Sequence, residues 1–171
     1  MNIILIGMPG CGKSTVGSFL AKLIGYRFLD TDTVIQSMEG KVLQDIIDED
    51  SLESFLASEE RALCSLCCDE TVIATGGSAV YSERGMKHLR NGGKVVYLKI
   101  GIEELRKRLS NFASRGIAGA KDKSLEQLFD ERRPLYEIYA DYTIECQNSE
   151  PLENAVKIID ILKNDIISGR Q

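Results

Sequence analysis

Short apolar runs alternate along the chain with stretches whose apolar residues recur at helical spacing. Ile3–Ile6, Tyr26–Asp30, Thr71–Ala74, Val95–Lys99 and Tyr142–Cys146 read as short strands. Helical spacing covers Lys13–Ile24, Thr33–Met38, Val42–Asp48, Leu52–Cys68, Glu83–Asn91, Ile102–Ser110, Ser124–Ala140 and Leu152–Ile167. Strands rich in β-branched residues that alternate with helices predict an α/β fold, with a mainly parallel sheet covered on both faces. Nothing repeats at a fixed period and no Pro/Ser-rich linker interrupts the pattern, so 1–171 is expected to form a single domain. Ile158, Ile161, Leu162 and Ile166 are expected as one core stripe of the closing helix. Residues 111–123, NFASRGIAGAKDK, carry no sustained apolar period and read as a loop, either functional or surface slack.

The balance of 43% hydrophobic and 27% charged residues over 171 positions is that of an ordinary globular chain with room for a sizeable core. A formal net charge of -5 gives no electrostatic pull toward nucleic acid, and no apolar run is long enough to span a bilayer. The start, Met1-Asn2-Ile3-Ile4-Leu5-Ile6-Gly7, lacks the basic residues and cleavage site of a signal peptide, which points to the cytoplasm. Five cysteines fit poorly with a disulfide framework. Cys64, Cys67 and Cys68 fall at i, i+3, i+4 beside Leu63 and Leu66, so packed thiols on a helix are expected rather than a zinc site. The one histidine, His88, reads with Lys87 and Arg90 as surface charge at a helix end.

The most specific signal is Gly7-Met8-Pro9-Gly10-Cys11-Gly12-Lys13-Ser14, a full G-x-x-x-x-G-K-S between a hydrophobic strand and an amphipathic helix. Such a loop wraps its backbone N–H groups around a polyphosphate, and the helix N-terminus adds partial positive charge. Lys13 is expected on the β/γ-phosphates of ATP and the Ser14 hydroxyl on Mg²⁺, with Gly10, Cys11, Gly12 and Thr15 as further nucleotide contacts. The Cys11 thiol reads as incidental to the loop; the alternative, from its place at a helix N-terminus, is an activated thiol alkylated before the other cysteines. Downstream, Leu29-Asp30-Thr31-Asp32 ends the second strand. Residues i and i+2 of a strand face the same way, which would project Asp30 and Asp32 together from the sheet's carboxyl edge. One carboxylate could serve a metal and the other an attacking hydroxyl; the plainer alternative is a helix N-cap.

These blocks, taken with Val72-Ile73-Ala74-Thr75-Gly76-Gly77-Ser78-Ala79-Val80 and Arg132-Arg133-Pro134-Leu135-Tyr136 before Ala140-Asp141, resemble the shikimate kinase family over roughly residues 2–145. The resemblance implies a P-loop three-layer α/β/α fold of the nucleoside-monophosphate-kinase kind. Its parts would be a five-stranded parallel sheet, an acceptor-binding segment near 32–62 and a lid near 109–124. It implies transfer of the ATP γ-phosphoryl to the 3-hydroxyl of shikimate, on the way to aromatic amino acids, by a monomer that needs Mg²⁺ and no nucleic-acid or membrane partner. Position by position, Lys13 and Ser14 match phosphate and Mg²⁺ residues, Asp30 the metal-associated aspartate, and Asp32 the one on the acceptor hydroxyls. Gly76 and Gly77, with Ser78, match the acceptor loop, and Arg132 an arginine for the acceptor carboxylate. Arg115 matches the lid arginine on the transferring phosphate, and Arg108 one that lies against adenine.

The departures sit on the acceptor side. The family's Phe-Arg-x-x-Glu is here Phe55-Leu56-Ala57-Ser58-Glu59, which removes an arginine on the acceptor carboxylate and the cationic neighbour of Glu59. A lost charge-assisted contact of that kind costs about 1.5–3 kcal/mol. Arg61, five residues along the same helix, points elsewhere. Ser78 replaces a third glycine, which is expected to narrow the loop's dihedral freedom, and Arg115-Gly116-Ile117 replaces the family's Arg-Pro-Leu. A kinase for a different polyhydroxylated acceptor is therefore the first alternative. A nucleotide-binding module with little transferase activity is the second. Glu103 with Lys107, and Glu104 with Arg108, are expected as i, i+4 pairs on a solvated face.

Overall fold

A computed structural model of the protein describes residues 1–49, 51–109, 117–147 and 149–168. Its five strands are β1 (Asn2–Ile6), β2 (Arg27–Asp30), β3 (Thr71–Ala74), β4 (Gly93–Lys99) and β5 (Tyr142–Glu145), ordered β2-β3-β1-β4-β5 and all parallel. Ile4 pairs with Ile73 on one side and Val95 on the other. Every residue of β1 and β3 is buried, as a sheet covered on both faces requires. Eight helices connect or flank the strands among the described residues: α1 (Lys13–Ile24), α2 (Thr31–Glu39), α3 (Leu43–Glu49), α4 (Leu52–Ser65), α5 (Glu83–Asn91), α6 (Ile102–Arg108), α7 (Leu125–Tyr139) and α8 (Pro151–Ser168). The predicted alternation is observed, with a 3₁₀ turn at Ala79–Tyr81 that the pattern did not announce.

From β1 the chain crosses to β2 at one edge, and from β3 it crosses to β4 on the other side. Ligands of open α/β sheets bind beyond the carboxyl ends of the strands at such a reversal. Ile6, Asp30 and Ala74, the last residues of β1, β2 and β3, bring their following segments to that place. The main core lies between sheet and helices; a smaller cluster of Ile35, Ile46, Phe55, Ala62 and Ala118 joins α2, α3 and α4 to the segment after residue 116.

Several packing expectations are corrected. The helix expected to run to Cys68 stops at Ser65, because Leu66 turns extended (φ -66°, ψ 118°) and its carbonyl accepts a hydrogen bond from His88 Nε2 at 2.8 Å. Asn2 then clamps the turn into β3, its Nδ2 donating to Cys68 O (2.7 Å) and its Oδ1 accepting from Thr71 N (3.1 Å). Cys67 is consequently exposed, and Cys64 and Cys68 only half-buried. His88 is exposed in the last turn of α5, as expected, and in addition ties α5 to the end of α4. On α8, Ile158, Leu162 and Ile166 are buried but Ile161 is exposed, one position off the stripe. Glu103 bonds Arg106 (2.6 Å) rather than Lys107, while Glu104 pairs with Arg108 as expected (3.0 Å). No helix among the described residues is long and apolar enough to cross a membrane.

Candidate active site

Residues 7–12 leave β1 and enter α1 through three glycines at positive φ: Gly7 (143°), Gly10 (80°) and Gly12 (101°). At Gly7 a side chain is also excluded by space, since a Cβ would stand 2.7 Å from Leu98 O. Gly12 is the N-cap of α1, and the first intrahelical bond runs from Val16 N to Gly12 O (2.9 Å). The N–H groups of Lys13, Ser14 and Thr15 thus precede the helix's own ladder and are available to an anion. Lys13 is buried, its Nζ donating to Gly7 O (2.8 Å) and Met8 O (3.0 Å), so the ammonium is held on the inner side of the loop.

Beside the loop, Ser14 Oγ donates to Asp30 Oδ2 at 2.6 Å. The other oxygen, Asp30 Oδ1, accepts from Asp32 N at 3.0 Å and caps α2. Asp30 is therefore the N-cap of α2, the plainer alternative, while its second oxygen holds the Ser14 hydroxyl. The strand argument for Asp32 is corrected: β2 ends at Asp30, and Asp32 lies in the first turn of α2. The two carboxylates still reach the same cavity. Burial, and then the neighbouring Asp30, push the Asp32 carboxyl up to about 6, while Lys13 opposes the rise. Ser14 and Asp30 offer hard oxygen donors that suit Mg²⁺, which takes one or two protein ligands and completes its shell with water and substrate phosphate. Among the described residues no group of three or more His, Cys, Asp or Glu could form an all-protein metal cage.

The opposite wall is built by long-range contacts. Thr31 Oγ1 accepts from Gly76 N (3.1 Å), and Tyr136 Oη donates to Gly77 O (2.6 Å). A Cβ on Gly76 would lie 2.3 Å from Glu59 Oε1, and one on Gly77 would lie 2.6 Å from Pro9 Cδ. Both are glycine because the loop is pressed between neighbours. Ser78 sits at φ -92°, ψ -9°, open to any residue, so the expected loss of dihedral freedom is not a cost here. Arg132 is 1% exposed; its Nη2 donates to Ala118 O (2.6 Å), its Nε to Tyr81 Oη (3.1 Å), and its guanidinium lies over the Tyr81 ring. Nη1 is 3.2 Å from where a Gly77 Cβ would be, which puts it at the acceptor loop.

Glu59, noted in the sequence only for its missing neighbour, proves central. It is 1% exposed, and its Oε1 has no hydrogen-bond partner. Burial pushes its carboxyl up to about 7, and Asp32 adds to the rise; the nearby Ser78 hydroxyl and the charges of Arg132 and Lys13 oppose it. Arg61 bonds Glu39 and Ser58 instead, as its helical position suggested.

A cavity of about 380 Å³ brings together Gly10, Gly12, Lys13, Ser14 and Thr15 with Asp30, Asp32, Glu59, Gly76, Gly77, Ser78 and Arg132. Two expected residues are not on its wall. The Cys11 thiol is buried under the loop, 3.7 Å from Lys13 Nζ, which overturns the alternative of rapid alkylation because no reagent reaches it. Arg108 is paired to Glu104 at the end of α6. Arg115 and Gly116 lie outside the described residues. Of the loop they belong to, Ile117 and Ala118 are described and line the cavity.

The family model described as shikimate kinase matches residues 9–163. A shikimate kinase of Vibrio parahaemolyticus is 36% identical over 165 residues, covering 95% of this chain and 96% of that protein. One of Francisella tularensis subsp. novicida is 38% identical over 162 residues, covering 92% of each. The solved shikimate kinase of Acinetobacter baumannii in complex with shikimate superposes with a TM-score of 0.86 at 33% identity, over 96% of this chain and 93% of that one.

Proposed function

Because the chain belongs to the shikimate kinase family, we propose that it transfers the γ-phosphoryl group of ATP to the 3-hydroxyl of shikimate, a step of aromatic amino-acid biosynthesis. The observation that carries this reading is the single cavity in which the phosphate loop and the Ser14–Asp30 pair face Asp32, the Gly76–Gly77 loop and Arg132. The Acinetobacter relative, similar along nearly its whole length, was solved with shikimate. A monomer is the state that the family resemblance implies, and ATP as co-substrate favours the cytoplasm.

The geometry supports the following roles. Backbone amides at the start of α1 take the phosphates, and Lys13, released from the Gly7 and Met8 carbonyls, neutralises charge on the transferring group. Ser14 and Asp30 are the residues that would hold Mg²⁺, which would supply neutralising charge to the nucleotide phosphates. Arg132 Nη1 meets the acceptor carboxylate, and the Gly76–Gly77 backbone lies along the acceptor. Asp32 orients the 3-hydroxyl and accepts its proton as the oxygen bonds to the γ-phosphorus and the bond to the bridging oxygen of ADP breaks. A carboxyl near 6 is ionised at neutral pH, yet is a better base than an exposed aspartate. Arg115 is assigned to the transferring phosphoryl and Arg108 to the adenine side, on resemblance.

The test is ADP release with MgATP, with and without millimolar shikimate, for the native protein and a Leu56→Arg variant. Shikimate-dependent turnover of the native protein supports the reading. ATP binding without any shikimate-dependent release overturns it. A second reading, a related kinase for another polyol, has Leu56 in its favour. Gain of shikimate turnover only in Leu56→Arg would select it.

A further inference from the structure

Among the described residues that line the main cavity, Arg132 is the only arginine. The second arginine of the family pattern is Leu56 here, so the grip on an acceptor carboxylate falls to one guanidinium. A guanidinium offers five N–H donors in a rigid plane, and it holds a carboxylate well only when its free donors lie in line with the oxygens. Whatever fixes the plane of Arg132 therefore decides how well the site holds an anionic acceptor.

Tyr81 directly follows the Gly76–Val80 block, and the family resemblance gives it no role. The chain leaves the acceptor loop at Ser78 and closes the 3₁₀ turn Ala79–Tyr81, with Tyr81 N donating to Ser78 O at 2.9 Å. This turn carries the Tyr81 ring to α7, where it meets Arg132 in two ways. The guanidinium carbon stands 5.2 Å from the ring centroid, and Nε donates to Tyr81 Oη at 3.1 Å. An arginine can only donate, so the phenol accepts here and turns its own hydrogen elsewhere. It donates to Glu131 Oε1 at 2.8 Å, and Lys123 Nζ bonds the other oxygen of that carboxylate. With Nε on Tyr81 and Nη2 on Ala118 O (2.6 Å), Nη1 makes no hydrogen bond among the described residues and stands beside Gly77. The loop that forms the acceptor's floor thus also carries the residue that aims the arginine. We propose that Tyr81 is a positioning residue for acceptor binding. By its ring and its hydroxyl it holds Arg132 so that Nη1 stays directed at the acceptor carboxylate, in a site where Leu56 provides no second cation.

The kinetic arm of this inference rests on the shikimate kinase reading; a spectroscopic arm does not. Tyr81→Phe keeps the ring and removes only the hydroxyl. The shikimate KM is expected to rise about tenfold, with kcat and the ATP KM within about twofold of native, as for a contact made equally in ground and transition states. In an Arg132→Lys background the same change should move the shikimate KM by less than about twofold, because Tyr81 acts through the guanidinium. In the second arm, the Arg132 Nε–H resonance of the ¹⁵N-labelled native protein is followed without acceptor, assigned by its absence from Arg132→Lys. Its exchange with water should be at least about tenfold slower than that of exposed arginines such as Arg84. Tyr81→Phe should abolish most of that protection.

An unprotected Arg132 Nε–H in the native protein, or protection that Tyr81→Phe leaves intact, overturns the proposal. So does an unchanged shikimate KM in an active Tyr81→Phe. An equal rise of ATP and acceptor KM with lowered melting temperature, or an effect of Tyr81→Phe that persists undiminished in Arg132→Lys, also overturns it, since either marks a merely structural loop residue. Protection lost in Tyr81→Phe, with no shikimate-dependent turnover in the native protein or any variant, supports the Tyr81–Arg132 link and overturns the shikimate reading alone.

Discussion

Replacing Glu59 by glutamine isolates the cost of a buried carboxyl. In the folded protein this group rises from its ordinary 4.5 to about 7, and it is almost wholly shielded from water. The folded state therefore binds the proton more tightly than the unfolded chain does, and stability is greatest at low pH. It is lost as pH rises through about 7, where the unfolded chain is already ionised and the buried group must follow. At about 1.4 kcal/mol for each tenfold change in proton affinity, the loss is about 3 kcal/mol between pH 4 and pH 8. Glutamine keeps the shape and carries no charge. The stability of Glu59→Gln relative to native should accordingly increase by about 2–3 kcal/mol between pH 5 and pH 8. That corresponds to about 5–10 °C in relative Tm for a domain of this size. Urea or thermal unfolding of both proteins at the two pH values measures it, and effects of all uncoupled groups cancel in the comparison. A stability difference that stays constant with pH would refute the reasoning, because it would mean that Glu59 titrates alike in both states.

Asp30→Asn keeps an N-cap acceptor for α2 but removes the carboxylate that receives Ser14. Stability by urea unfolding should change by less than about 1 kcal/mol, while the Mg²⁺ concentration for half-maximal turnover rises at least about tenfold. Lys13→Ala should lower kcat about 10²- to 10³-fold, the range for losing one transition-state donor, with an unchanged far-UV spectrum; a loss below tenfold would remove Lys13 from the chemistry. Arg132→Lys retains charge but not the fork that spans Ala118 O and Tyr81 Oη. It should cost about 2 kcal/mol, near 4–8 °C in Tm, and raise the shikimate KM more than tenfold while leaving the ATP KM within about twofold.

The phosphate half of the site was legible because its geometry is local. Three glycines at fixed spacing, a strand before and a helix after specify a backbone cradle without help from distant residues. The alternation of strands and helices was legible for the same reason, each element carrying its own period. What escaped was decided by contacts far apart in sequence. Nothing near Cys67 announces that Asn2 and His88 will end α4 early. Asp32 reached the cavity by a different route than the strand period suggested, because Asp30 stops β2 by capping α2. Thr31 and Tyr136, which hold the acceptor loop, lie 45 and 59 residues from Gly76 and Gly77. Tyr136 stood in the Arg-x-Pro-Leu-Tyr block, the one sequence signal that could have singled it out. Glu59 was visible only as a residue without its family partner. Its burial, the only feature that makes it matter, belongs to the fold.

The difference between the two halves also explains where this chain could diverge. Backbone N–H groups contact phosphate whatever the intervening side chains are, so the cradle itself fixes little beyond its glycines. The acceptor side is a lattice of side chains in which each member constrains another. Arg132 is the clearest case. One guanidinium faces the acceptor loop, stacks on Tyr81 and holds the Ala118 carbonyl, and Ala118 in turn packs with Ile35, Ile46 and Phe55. Lys121, three residues on, bonds the carbonyls of Ile47 and Asp48 at the end of α3. Whatever displaces Ala118 must therefore break a hydrogen bond of the guanidinium assigned to the acceptor. If Arg132 holds the acceptor as proposed, acceptor binding and the placement of Ala118 are linked through that bond. In such a lattice a single substitution can leave a buried polar group unpartnered, and Glu59 Oε1, on a cavity wall shared with Leu56, is such a group.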